Sequence, residues 1–409
     1  MKGPPIAVAV TAVLVLFLPC FVSAATLNVP GTYSTIQAAV DASSPGDIID
    51  VAAGTYDEQI TLVGAKSSLT FTGAGVGLTI VRPTSVLADG EYDVQIYASG
   101  TMFSGFTFDF DNTGSRLGSD FKTGLLIGET GDVLHPEVAI ENVNISNCEI
   151  IPADSGVGII IGKDRDVSGL VINGNTITGD PNNDGLASGI YINPTILNDV
   201  GGSNITVPVI SGNTINGHLD YGIAVETGDF TVSGNTISNT VGTANRHGIR
   251  YTDWYDLTHA NVTITRNTIS NMVNGIDARS GSGLGSLAGS ITENAISSCT
   301  IGVSVGAGGA GAAVNQNSIA STNTTLMENT SGGILDASVN WFGSADETVV
   351  ITKLVNSNTI DFSPLIRIGT DTDGVTAGFQ PDLFSLRVHD LGQQVGPLGR
   401  LTEAKVVGV

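Results

Sequence analysis

Ile172-Asn-Gly-Asn175-Thr-Ile177, followed by Gly189-Ile-Tyr-Ile192, is the stretch that decides the fold. Both pieces alternate apolar with polar residues over a few positions, the period of a short strand with one face inward. Both also recur. The first returns as Ile145-Ser-Asn147-Cys-Glu-Ile150, Ile210-Ser-Gly-Asn213-Thr-Ile215 and Val232-Ser-Gly-Asn235-Thr-Ile237. It continues as Ile264-Thr-Arg-Asn267-Thr-Ile269, Ile291-Thr-Glu-Asn294-Ala-Ile296 and Val314-Asn-Gln-Asn317-Ser-Ile319, and closes at Val339-Asn340-Trp341-Phe342. The second returns behind Gly124, Gly158, Gly222, Gly248, Gly275 and Gly302, and the two alternate from residue 124 to 317.

Successive glycines of the second motif lie 34, 31, 33, 26, 27 and 27 residues apart. That is too short for a helical crossover between every pair of strands, so the strands stack as coils of a solenoid about 4.8 Å apart. Inward Ile, Val and Leu then form apolar columns. The recurrent Asn falls where the chain turns, where its amide bonds the Asn above and below and it tolerates left-handed backbone angles.

On these repeats the chain resembles the right-handed parallel β-helix, or pectin-lyase-like, superfamily, over roughly residues 30 to 365. The resemblance implies an all-β, single-stranded right-handed solenoid of about a dozen coils with a short N-terminal capping helix. The opening, Tyr33 to Asp41 through Pro45-Gly-Asp47 to Gly54-Thr-Tyr56-Asp-Glu58, is similar to the start of such proteins. Ser34 with Gln37 predicts a capping box for that helix, and Ile36, Ala39 and Val40 predict a face that covers the open end of the first coil. Trp341-Phe342 and Ile360-Asp-Phe-Ser-Pro364 resemble a closing coil, and residues 366–409 read as a tail or small cap.

Residues 1–24 read as a secretory signal peptide, with Lys2 ahead of an apolar run from Ile6 to Leu18 and Val22-Ser23-Ala24 as the cleavage site. The expected location is secreted or cell-surface, with no transmembrane segment once the signal is cleaved. Export permits a disulfide. Cys148 and Cys299 fall five coils, or about 24 Å, apart, beyond the reach of one, so both are expected as free buried thiols.

Charged residues make up only 13 % of the chain, and 39 Asp and Glu against 16 Lys and Arg leave a net −23. Such an excess of acid disfavours nucleic acid, whose phosphates need clustered Lys and Arg. Against that scarcity the charges on one face matter. If the second and fourth residues of the Gly motif point inward, the third and fifth point outward. One outward column then reads Leu126, Ile160, Tyr191, Ala224, Arg250, Asp277, Ser304, and the next reads Gly128, Gly162, Asn193, Glu226, Thr252, Arg279, Gly306.

Glu226, Arg250 and Asp277 are the candidate catalytic residues on this face. Tyr191, Asn193 and Arg279 are candidate substrate contacts. Two carboxylates two coils apart approach the spacing used by inverting glycosidases; a salt-bridge ladder Glu226–Arg250–Asp277 that only keeps the sheet soluble is the alternative. The segment from Asn245 to His259, read as a loop beside this sheet, adds His247, Asp253, Trp254 and Tyr255 as candidate contacts, with His or Tyr as base, Asp as acid and Trp254 as a sugar-stacking ring. Trp254 and Tyr255 covering the side of the coils is the other reading.

Asp180, Asn182 and Asp184, with Gly185, match the first half of a calcium loop. Position twelve, normally Glu, is Tyr191, and an Asx-rich turn explains the stretch as well. Ca2+ is the one cofactor the sequence raises. The motifs of polygalacturonases, pectate lyases and pectin methylesterases are absent, as is the Asp-Pro-His-Asp of mannuronan epimerases. The expected partner is therefore an extracellular or cell-envelope polysaccharide, without a named chemistry. A structural or adhesive solenoid, and a polysaccharide lyase or glycoside hydrolase, are the alternatives.

Overall fold

The computed structural model describes residues 23–83, 93–110, 124–128, 139–153, 156–161, 167–179, 188–192, 205–217, 220–226, 229–239, 246–253, 259–280, 287–307, 309, 311–383 and 386. Each coil crosses three sheets in turn. Val171–Asn173 lies in the first, Thr176–Thr178 in the second and Ser188–Ile192 in the third, before Ile205–Ser211 pairs with the strand where the coil began. Among the described residues the first sheet holds 15 strands, the third 11 and the second 10. Neighbouring strands are parallel from Thr26–Val29 to Ile360–Asp361, and in register apart from shifts in the first sheet between Thr206 and Val209 and between His259 and Val262.

The inward residues stack as the repeats predict. Ile172, Ile210, Val232 and Ile264 are directly paired in the first sheet, and Ile177, Ile215, Ile237 and Ile269 in the second. Ile190, Ile223, Ile249 and Ile276 form the corresponding column of the third. All are at most 1 % exposed, each worth roughly 1.5–3 kcal/mol of burial. Nearer the N-terminus the core is aromatic, with the Phe71 and Phe103 rings stacked at 4.1 Å.

The corner between the first and second sheets is closed by an asparagine ladder. The Oδ1 of Asn235 accepts the backbone N–H of Asn213 at 3.0 Å and its Nδ2 at 2.9 Å. Asn235 Nδ2 in turn donates to Ile210 O and to Asn267 Oδ1. The run continues unbroken from Asn175 through Asn213, Asn235, Asn267, Asn294 and Asn317 to Asn340. Two expectations change here. The left-handed residue is not the ladder Asn but the one before it: Gly174, Gly212 and Gly234 in three coils, and Arg266, Glu293, Gln316 and Val339 in others, with φ from 57° to 66°. In the first motif Asn147 takes that left-handed place (φ 52°), so Cys148 occupies the ladder position, its N–H donating to Asn175 Oδ1.

Both ends are built from sequence-distant contacts. The helix Ile36–Ala42 buries Ile36, Ala39 and Val40. Its cap differs from the expected Ser34–Gln37 box: Thr35 is the N-cap, accepting from Ala38 N, and the Glu58 carboxylate takes the N–H groups of Ile36 and Gln37. At the other end Phe342 joins the core, and residues 366–383 turn back along the outside of the coils. Phe379 is 3 % exposed with its N–H on Glu293 O, and Gly378, at φ +87°, lies against the Arg266 backbone, where no Cβ fits. Cys148 and Cys299 are buried free thiols, each pushed up to about 11 by burial. No helix among the described residues is long and apolar enough to cross a membrane.

Replacing Asn235 by Ala strands two donors of Asn213 and the carbonyl of Ile210, which predicts a loss of roughly 2–4 kcal/mol. Val339→Gly removes a β-branched residue from a left-handed position and is expected to add about 1 kcal/mol. Urea midpoints of the two variants against wild type check both signs.

Candidate functional site

The third sheet carries the outward residues in the register the Gly motif predicts. Leu126, Ile160, Tyr191, Ala224, Arg250, Asp277 and Ser304 are successive partners, and the column continues through Glu328 to Val355. Thr252 pairs Arg279 in the neighbouring column, and Glu226 N donates to Ile192 O at its head.

Outward is not the same as exposed. Leu126, Ile160, Ala224, Asp277 and Ser304 are all buried, and Tyr97, Leu126, Val157 and Ile160 form a second apolar cluster against which Tyr191 packs. The sheet is therefore not the bare flat surface its sequence suggests. Tyr191, Tyr221, Glu226, His247, Arg250 and Arg279 are the half-buried groups that reach its surface on four successive coils.

Their contacts sort them into three linked units. Tyr191 is hydrogen-bonded to Glu226. Its phenol is held protonated far above the ordinary value by burial first, then by the Glu226 charge and that bond, with Arg250 opposing. Arg250 donates from Nη1 to Tyr221 OH at 2.6 Å and from Nε to Thr252 Oγ1 at 2.9 Å, its guanidinium carbon 5.1 Å from the Tyr221 ring centre. Tyr221 stacks on His247, ring centres 5.4 Å apart and 22° from parallel.

The third unit centres on Asp277, 1 % exposed. Its Oδ1 accepts from Arg279 Nε at 2.8 Å and Nη2 at 2.5 Å, and its Oδ2 faces His247 Nδ1 at 3.2 Å. Asn274 Nδ2 stands 3.2 Å from the same ring nitrogen. Burial alone would raise the Asp277 pKa. The close approach of His247 and the hydrogen bonds from Arg279, with their charges, outweigh it and hold the carboxyl below the ordinary range.

Among the described residues Arg250 pairs with neither Glu226 nor Asp277, so the face carries no Glu226–Arg250–Asp277 salt-bridge ladder. Asp277 points outward as expected yet is shut from solvent, which makes it an anchor for His247 and Arg279. Tyr221 and Asn274 were missed by the reading of third and fifth positions. They stand immediately before the Gly of the motif, in one column with His247, and that preceding position was the available signal. Asp253 lies at the end of the strand His247–Asp253. Asn193, Trp254, Tyr255, and the calcium candidates Asp180, Asn182 and Asp184 lie outside the described residues. Among the described residues no group of three or more His, Cys, Asp or Glu is placed to hold a metal.

A carboxyl held below its unfolded value stabilises the fold above that value, about pH 4, and the contribution disappears as pH falls through the lower folded value. Asp277→Asn is accordingly expected to be on the order of 2 kcal/mol less stable than wild type at pH 7, the gap closing below about pH 4. Denaturant midpoints measured from pH 7 to pH 3 test this.

Residues 94–288 match a family model described as the right-handed beta helix region. No curated protein matches the chain. Among solved structures it is similar to the A-module of mannuronan C-5 epimerase AlgE6 of Azotobacter vinelandii at 14 % identity and a TM-score of 0.33, covering 82 % of this chain and 95 % of that one. The AlgE4 A-module of the same organism matches at 13 % and 0.34, covering 79 % and 91 %. The PL6 family polysaccharide lyase Pedsa3628 of Pseudopedobacter saltans matches at 12 % and 0.30, covering 87 % and 96 %. Superpositions this loose equate no residue of those enzymes with a residue here. With its in-register parallel sheets and the family match, the chain is a right-handed parallel β-helix.

Proposed function

We propose that the chain is an exported protein that engages extracellular or cell-envelope polysaccharide along the third sheet. The observation that carries this reading is the convergence, on four successive coils, of the Tyr191–Glu226, Tyr221–Arg250 and His247–Asp277–Arg279 units. Charge is scarce in this chain, and three polar or ion-paired units on one face suit a ligand that repeats along the solenoid axis. Sugars offer hydroxyls to Glu226 and the two guanidinium groups, and apolar ring faces to Tyr191 and Tyr221. The signal peptide read at residues 1–24 supports export.

The His247–Asp277 pair favours a second reading, in which the face also catalyses. A buried carboxylate facing Nδ1 fixes the orientation of the imidazole, which leaves His247 suited to move a proton at the ligand while Asp277 acts as a positioning residue. Glu226, held by a phenol, would be the second proton-handling group, and Arg250 and Arg279 would meet a developing or resident negative charge.

The test is a panel of acidic and neutral polysaccharides, with and without calcium, read by electrophoretic retardation, new reducing ends and 235 nm absorbance. Retardation lowered at least tenfold in Arg250→Ala and Glu226→Ala supports engagement at this face. Product that also disappears in His247→Gln supports catalysis. Folded wild type that neither retards nor turns over any polymer in the panel overturns the proposal in favour of a structural solenoid.

A further inference from the structure

One cation beside this face takes no part in its network. Arg246, immediately before His247, is 3 % exposed, yet among the described residues its guanidinium makes no hydrogen bond and no ion pair. Its Nε and Nη1 are buried without an acceptor. The backbone of the same residue is firmly held, its carbonyl accepting from Val273 N and Asn274 N at 2.9 Å each. The guanidinium is thus carried inward by a fixed strand start.

A guanidinium cannot shed its proton, and an uncompensated buried charge costs several kcal/mol. Water would satisfy the N–H groups but not the charge. A candidate counter-ion is Asp220, one coil earlier, whose carbonyl accepts His247 N at 2.8 Å. Its carboxyl feels both Arg246 and His247 but forms no ion pair with Arg246, and burial outweighs both attractions and raises its pKa. Asp220 is therefore an incomplete partner. His247 and Arg250, on the same strand, make the surroundings more favourable to a negative group still.

We propose that Arg246 is an oxyanion site, taking a carboxylate, sulfate or phosphate group against Nε and Nη1 at the edge of the third sheet. The site does not depend on the polysaccharide reading. Its anion could come from a substituent of a glycan on the adjacent face or from a free inorganic ion.

Calorimetric titration of the full chain with sodium sulfate, sodium phosphate and glucuronate, at constant ionic strength, tests it. The expected result is one site in wild type for at least one of these, weakened tenfold or more in Arg246→Met. Asp220→Asn, which removes the competing carboxylate, should tighten it severalfold and serves as the informative variant if Arg246→Met does not fold. Binding of glucuronate alone identifies a glycan substituent, and binding of the inorganic ions alone identifies a free ion. No binding to wild type, or binding unchanged in a folded Arg246→Met and in Asp220→Asn, overturns the proposal. Polysaccharide retardation, measured on the same variants, reports separately on the face itself.

Discussion

Everything in this molecule follows from the requirement that each coil repeat the register of the one before it. Parallel strands about 4.8 Å apart satisfy the backbone only if the chain returns to the same place after each turn. The asparagine ladder enforces that return at one corner. From Asn213 to Asn340 each Oδ1 takes two N–H groups from the previous coil, so a coil entering the corner one residue early would strand both. The same bonds hold the residue before each Asn in a left-handed conformation, which is cheap at Gly174, Gly212 and Gly234 and costs roughly 1–2 kcal/mol at Arg266 or Val339. That non-glycine residues persist there measures how strongly the ladder constrains the turn.

Exact repetition is also what assembles the site. Residues 221, 247 and 274, or 250 and 277, are far apart in the chain and adjacent in space only because their coils share one register. Once stacked, their chemistry is decided by burial. Asp277 is shut from water and persists as a carboxylate because Arg279 and His247 approach it from two sides. Glu226 is gripped by a phenol, and Arg250 leans on a tyrosine and a threonine instead of a carboxylate.

How much of this was legible in the sequence depended on whether position alone determined it. The period of the Asn and Gly motifs yields the columns, because strand alternation permits only one assignment of inward Ile and outward Arg or Asp. It failed where two neighbouring residues compete for one role. Asn147 carries the ladder's residue type but sits at the left-handed step, and Cys148 holds the rung. The helix cap failed for a related reason: Ser34 and Gln37 have the spacing of a capping box, but Glu58 arrives from 22 residues away and takes the two N–H groups. Burial of Asp277 and isolation of Arg246 were invisible because neither follows from alternation; both depend on what packs against the outside of the sheet.

The same ladder explains why chemistry gathers on the third sheet and not the others. Between the first and second sheets the connection is two residues in coil after coil: Ser146 to Glu149, Asn173 to Thr176, Ser211 to Thr214, Ser233 to Thr236 and Thr265 to Thr268. A corner fixed by buried amides cannot lengthen without breaking rungs. Along the ladder, variation in coil length therefore falls outside this corner, chiefly in the two corners that flank the third sheet, whereas ahead of the ladder the same connection runs from Gly73 to Thr79. In the flanking corners the chain spans from Ser270 to Asn274 in one coil and from Thr178 to Ser188 in another. The second sheet, one edge of which is the ladder, presents Thr176, Thr214, Thr236 and Thr268 in its outward column, small and uncharged, with Glu149 the charged member on the coil before them. The third sheet alone is bordered on both sides by corners free to differ from coil to coil. Its outward positions are accordingly where Tyr221, His247, Arg250 and Asp277 replace the repeating Thr and Ser, because there a change of side chain or loop leaves the ladder, and so the fold, intact.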